Sequence, residues 1–280
     1  MPPSPSGYYF WPSRSYMEVK RLQRKDKMHP VLIAIGKFHI YTYGVMIAIG
    51  ILVGVFLARR QAAKEGINPD KIIDITFYVL LAALIGSRLL FVLTNLQEYS
   101  SDPIKALKIW EGGLVFYGGL LPAVVVGIWY IKKQGLALWQ VTDIFAPSVA
   151  IGHAFGRIGC FCAGCCYGKA CSLPWAVTFK DPRSLAPLGI PLHPTQLYSS
   201  LTEFLIFGFL VLLRRRKKFH GELFWSYILV YSVARFLLEY LRGDPRGSVL
   251  GGLFSTSQVI GIPLVGISVF MLLYLKKRGR

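Results

Sequence analysis

The sequence predicts an all-α fold: a polytopic membrane helical bundle of about seven transmembrane helices, with the N-terminus outside and the C-terminus inside. Three observations carry that prediction. Of the 280 residues, 54% are hydrophobic and only 16% are charged, against about 25% charged in soluble domains, and the mean hydropathy is +0.47. Apolar stretches near the length needed to cross a bilayer recur along the chain. The 32 Lys and Arg against 14 Asp and Glu, a formal charge of +18, gather in short runs at the ends of those stretches. Basic runs in such places match the positive-inside rule and anionic headgroups, so membrane lipids, not nucleic acid, are the partners they imply.

The elements follow in order. Residues 1–27 hold Pro, Ser and six basic residues without an apolar core, so they are not a signal peptide. They read as a disordered extension or a mis-called start, with Met28 opening a single membrane domain, 28–280. The spans are Ile40–Ala58, Ile72–Leu93, Leu114–Ile131, Val141–Cys160, Tyr198–Leu213, Leu223–Leu241 and Val259–Leu275. The fourth and fifth are the weakest, being interrupted by Gly and Pro or short. An irregular loop is expected from about Tyr167 to Leu197. Past the first 27 residues, N-out orientation puts fifteen basic residues inside and eight outside; counting the tail outside narrows this to fifteen against fourteen.

That orientation sorts the intramembrane polar residues by depth. Arg88 lies 16 residues into the second span, roughly 24 Å from its inner end. Tyr43 and Tyr117 lie near the outer ends of the first and third spans, Arg157 near that of the fourth, and Arg235 and Glu239 in the outer half of the sixth, with Arg242 at its edge. Asp74 and Asp143 fall at inner ends and read as helix-start residues. Arg235, Glu239 and Arg242 share one helix face. More arginines than nearby carboxylates call for an anionic ligand, and guanidinium suits phosphate through paired hydrogen bonds. A phospholipid headgroup meets that description, and simple snorkelling is the bland alternative for any single arginine. Gly112, Gly113, Gly118 and Gly119 bracket the start of the third span, for helix packing or irregular backbone around a cavity.

Cys160, Cys162, Cys165, Cys166 and Cys171 crowd the stretch after Arg157. Metal ligation, with His153 or His193 as a further ligand, disulfide chemistry, and small-residue packing around a substrate cavity are the readings open to them. A membrane metal or thiol–disulfide protein and a non-catalytic phospholipid-binding or transport protein are therefore the competing functions.

The segments YTYGVMIAIG (41–50), IGSRLLFVL (85–93), EGGLVFYGGL (111–120), GRIGCFCAGCCYG (156–168), HPTQLY (193–198) and ARFLLEYLRGD (234–244) together resemble the prolipoprotein diacylglyceryl transferase family. The resemblance implies seven transmembrane helices in the bacterial inner membrane, with the active site toward the outer leaflet. It implies transfer of the diacylglyceryl group of phosphatidylglycerol to the lipobox cysteine of a prolipoprotein, leaving a thioether and glycerol 1-phosphate, without metal or organic cofactor. By the same resemblance, Arg157 and Arg235 hold the phosphate, Tyr43 lines the lipid site, Glu239 orients Arg235 and Gly168 closes the signature loop. Arg88, Arg242 and His193 match further positions of the pattern. Three positions depart from it: Tyr117 stands where a histidine is usual, and Cys160 and Cys165 replace an Asn and a Glu. A tyrosine with pKa about 10 is a poor base at neutral pH, so Tyr117 leaves the origin of the thiolate open.

Overall fold

The computed structural model describes residues 30–35, 38–100, 102–108, 112–244, 248–249 and 254–278. The expectation for residues 1–27 falls outside them, as do Lys37, Glu111, Arg246 and Arg280. Among the described residues there are seven long helices: α1 Thr42–Lys64, α2 Pro69–Thr94, α3 Phe116–Lys133, α4 Leu138–Ala163, α5 Thr195–Arg214, α6 Glu222–Glu239 and α7 Thr256–Arg278. Each overlaps one of the seven apolar stretches. By length and composition α1, α2, α4, α5 and α7 suffice to cross a membrane, so the protein is membrane-integral and all-α. The helices outside that group are α3 and α6, of 18 residues each, not the fourth and fifth stretches that read as weakest. Pro147 is accommodated inside α4, where it is buried among neighbouring helices that can take up the backbone groups a proline leaves free.

Local chemistry sets the helix ends. Asn68 caps α2 by accepting from the Asp70 amide at 2.9 Å, and Pro69 occupies the first helical position, where no amide is needed. The chain leaves α1 through Gly66 at φ 74°, with the Ile67 amide bonded back to the Ala62 carbonyl at 2.9 Å. A similar turn at Gly135 separates α3 from α4.

Helix α4 is the centre of the bundle. Half of its most apolar window is buried, against 22–28% for the other apolar helices, and it packs on α1, α5 and α6. Small residues permit this: a β-carbon on Gly50 of α1 would meet the Gly152 carbonyl of α4 at 2.9 Å. Helix α2 pairs with α3 in the same manner, through Gly86 against Gly118 and Pro122, so Gly118 serves helix packing. Helix α6 pairs with α7. Ala58, Ile72, Tyr130 and Ile144 form one apolar cluster joining α1 to α4, and Ala150, Leu210, Leu223 and Tyr227 form a second joining α4, α5 and α6.

Two features depart from the expected picture. Asp143 is fully buried and accepts from the Gly221 and Phe224 amides at 2.7 and 2.9 Å. It caps α6, a distant helix, as well as standing near the start of its own. The stretch from Gly164 to Pro194 also has order. Short strands β1 Val177–Thr178 and β2 Pro191–Leu192 pair antiparallel, and Phe179, Ala186 and Leu192 make a small core.

Candidate active site

The ends of α4, α5 and α6 supply the site. Arg157, near the end of α4, donates from Nε to His153 Nε2 one turn earlier, at 3.1 Å. His153 Nδ1 lies 2.6 Å from Glu203 Oε1 of α5. One ring nitrogen accepts from arginine, so the other carries the proton and donates it to the carboxylate. Glu203 is 2% exposed, and its Oε2 has no hydrogen-bond partner among the described residues. A buried carboxylate, a histidine and an arginine thus form one relay.

Arg157 opens onto a narrow crevice lined by His153, Ser199, Thr202, Glu203, Tyr231, Ala234, Arg235 and Leu238. The Tyr231 hydroxyl sits beside Arg157. Arg235 donates to Glu239 Oε2, one turn on, and from Nη2 to Ser257 Oγ of α7 at 3.1 Å. Glu239 thereby fixes the Arg235 fork. Arg157 differs from its neighbours: among the described residues, no carboxylate lies within 4.0 Å of it. A half-buried guanidinium with this surplus charge is suited to an anion.

Arg242 forms a bidentate pair with Asp244, both bonds at 2.9 Å, and lies 3.9 Å from Glu239 Oε2. Its backbone pairs with Gly168. The Gly168 amide donates to the His193 carbonyl at 3.1 Å, and the Lys169 amide to Leu241 at 2.9 Å. A β-carbon at Gly168 would meet His193 Cβ at 2.5 Å and its carbonyl at 2.6 Å, so three chain segments cross where only glycine fits. Gly168, His193 and Arg242 therefore meet in one backbone knot. The His193 ring contacts the Tyr198 hydroxyl at 3.4 Å, which in turn accepts from Trp175 at 2.7 Å.

Tyr43 of α1 lays its ring on Gly159, two residues past Arg157. Arg88 is placed otherwise. Its guanidinium donates to the carbonyls of Lys105, Ala106, Gly112 and Gly113 at 2.7–3.3 Å and lies beside the paired rings of Phe91 and Tyr99. It latches the segment joining α2 to α3. Tyr117, in the first turn of α3, packs on Phe116 and is not among the residues lining the crevice.

The thiols of Cys160, Cys165 and Cys166 lie within 4.8 Å of one another. Hydrogen bonds from Cys160 and Cys165 hold the Cys166 thiol well below its ordinary range, against the effect of burial, and the Arg242 guanidinium adds to this. Cys165 is pushed up by the same hydrogen bonds and by burial.

A family model described as prolipoprotein diacylglyceryl transferase matches residues 30–274. The chain belongs to that family. It is a transferase that moves diacylglyceryl groups onto prolipoprotein. Among its relatives, the phosphatidylglycerol–prolipoprotein diacylglyceryl transferase of Clostridium tetani is 39% identical, covering 87% of this chain and 96% of the relative. That of Clostridium perfringens, numbered 2, is 35% identical over 90% of this chain and 98% of its own length. That of Geobacter sulfurreducens is 33% identical over 89% and 97%. The residues that sequence reasoning passed over as site components are Glu203, Tyr231 and the His153 link. Glu203 carries a readable signal, as a solitary carboxylate inside an apolar stretch.

Proposed function

We propose that the crevice between α4, α5 and α6 is where the diacylglyceryl group of phosphatidylglycerol passes to the lipobox cysteine of a prolipoprotein. The observation that carries this assignment is Arg157, a half-buried guanidinium with no carboxylate within 4.0 Å among the described residues, which lines the crevice together with Arg235. The thiolate sulfur attacks the glycerol carbon that bears the phosphate ester. A C–S bond forms, the C–O bond breaks, and its electron pair leaves with glycerol 1-phosphate. Charge grows on the phosphate oxygens as that bond breaks. Arg157 and Arg235 stand ready to receive it, held by His153–Glu203 and by Glu239, so little reorganisation is needed in the transition state.

The remaining roles follow from position. Tyr43 sits beside Arg157 at the outer end of α1, above an apolar cleft of about 200 Å3 whose walls include Ile47, Ile51, Val55, Leu80 and Val149. That cleft suits acyl chains hanging below a headgroup. Arg242, Gly168 and His193 tie the loop after α4 to the start of α5 and the end of α6, and Arg88 holds the segment between α2 and α3. Residues 28–280 act as one domain in the bacterial inner membrane, N-terminus out and C-terminus in. The crevice opens to the outer leaflet, where prolipoprotein signal segments emerge.

The test is reconstitution in vesicles of phosphatidylglycerol labelled in its headgroup, with a lipobox peptide added. Release of labelled glycerol phosphate together with a thioether-linked peptide is expected. Arg157→Ala should lower the rate about 10²–10³-fold while the protein still inserts. Lipid bound without glycerol phosphate released would mark a lipid carrier instead, and near-normal turnover by Arg157→Ala would remove that residue from the mechanism.

A further inference from the structure

We infer that the ordered loop from Gly164 to Pro194 is a membrane-docking surface. Its exposed side chains Leu173, Trp175, Leu185, Leu188 and Ile190 enter the headgroup–acyl boundary of the bilayer at the site end of the bundle, and a phospholipid surface is their partner.

These side chains are not part of the loop's own packing. Its small core is made by Phe179, Ala186 and Leu192, with Phe161, Tyr167 and Val177 packed against it. The five lie outside that core, from 38% exposed at Leu173 to 70% at Leu185. Single apolar side chains scattered on a surface are ordinary. Five large ones within eighteen positions make a surface of the kind that marks a protein or membrane contact. They also stand on a firm backbone. The Ala176 amide donates to the Leu173 carbonyl at 2.9 Å, the Gly189 amide to the Phe179 carbonyl at 3.0 Å, and β1 pairs with β2 between them.

Hydrogen bonds to two helix ends set the depth. Helix α4 has 26 residues, so it is roughly 39 Å long, within the roughly 40–45 Å of a bilayer with its headgroups. Its last turn therefore lies at headgroup depth. Leu185 is tied there, its amide donating to the Ala163 carbonyl at 3.2 Å. Helix α5 has 20 residues and is roughly 30 Å long, the thickness of the hydrocarbon core alone. Its first turn sits at the edge of that core. Trp175 is tied to this turn: its indole Nε1 donates to the Tyr198 hydroxyl at 2.7 Å, while the residue stays 57% exposed. Trp and Tyr rings with a polar tip collect at this level of a membrane. Two separate tethers thus bring apolar, exposed residues to interface depth.

Charge agrees with a lipid partner. The loop carries Lys169, Lys180 and Arg183 against Asp181 alone, and Lys169 and Arg183 are exposed. Apolar side chains beside surplus positive charge are the pattern of segments that lie in the interface plane and meet lipid phosphates. A passing polypeptide could also cover such a surface, but lipid is already present at this depth and requires no encounter.

The test uses the full chain in lipid nanodiscs, where both faces meet the buffer, with its native cysteines replaced by serine. An environment-sensitive nitrobenzoxadiazole dye is attached at Leu185→Cys and, separately, at Leu188→Cys, both exposed positions. A nitroxide near the headgroup end of the acyl chains should quench either dye at least about twofold more than one at the chain terminus, as expected for side chains about 5–10 Å into the boundary. Iodide in the buffer should quench it at least about fivefold less than it quenches the same dye on a free peptide. Iodide access equal to that of the free dye in both variants would put the loop in water and overturn the docking. Access lost only when an apolar lipobox peptide is added would assign the surface to a polypeptide and overturn it as well. Neither readout depends on whether the lipid is turned over, so a failed transfer assay leaves this test intact.

Discussion

His153 joins two groups that could not tolerate each other's absence. It donates to a carboxylate that is nearly sealed from solvent and accepts from an arginine that has no other anchor at Nε. Its role is positioning, because both ring nitrogens are engaged. A side-chain amide can imitate this, its oxygen accepting from arginine and its nitrogen donating to glutamate. His153→Gln is therefore expected to keep transfer within a few-fold of wild type. His153→Ala should lose about 10²-fold, the scale of an ångström-sized misplacement of a reacting partner, and the loss should fall on kcat more than KM. The vesicle assay measures both. Equal losses in the two variants would mean that the ring does something an amide cannot, and the positioning role would fail. Of these residues, Arg157, Arg235 and Glu239 were legible because an arginine in an apolar run is conspicuous and an i, i+4 pair is visible on a helix. Glu203 was not paired with His153, since nothing local ties a residue of α5 to one of α4. Asp143 is the same lesson in another place: its partners are amides of a helix nearly eighty positions downstream, and no pattern around Asp143 announces them.

At the scale of elements, the bundle is held by backbone proximity more than by large side chains. Gly86 meets Gly118 where α2 crosses α3, and Gly50 meets Gly152 where α1 crosses α4. Within a bilayer the lipid is as apolar as the core, so close packing rather than hydrophobic burial draws helices together. Gly86→Val should force α2 and α3 apart. The cost expected is about 1–3 kcal/mol from overpacking, with a matching fall in Tm in a detergent thermal-shift assay, whereas Gly44→Ala, where a β-carbon meets nothing within 4 Å, should leave the midpoint in place. Unchanged melting in Gly86→Val would show that the crossing is not close in the protein as isolated. The positions of all seven long helices were readable from apolar length and basic flanks. Their pairing was not, because glycine spacing shows that a helix can approach a neighbour and not which neighbour. The ordered loop before α5 was also hidden, since its small core draws on Phe179, Ala186 and Leu192, residues too scattered to form a period.

For the whole molecule, every residue assigned to the site lies at the end opposite the strongest basic runs. Tyr43 opens α1, Arg157 and Arg235 near the close of α4 and α6, while Lys64, Lys132, Lys133, Arg214 and Lys276–Arg278 terminate helices at the other end. The inside–outside assignment thus makes a single claim about both faces. In intact spheroplasts of a version lacking its native cysteines, a membrane-impermeant maleimide should label Ser172→Cys at once and Gln134→Cys only after permeabilisation. The reverse pattern would invert the topology and put the crevice on the cytoplasmic leaflet.

The relay through Glu203 also has a consequence in time. Proteins are made from the N-terminus, so α4 leaves the ribosome carrying His153 and Arg157 before the carboxylate that anchors them has been synthesised. Arg235 and its own partner come later still. The central helix thus enters the membrane with a polar pair that is completed only when α5 arrives. The relay can therefore close only after α5 has been made, so the site is assembled late although its central arginine is synthesised early.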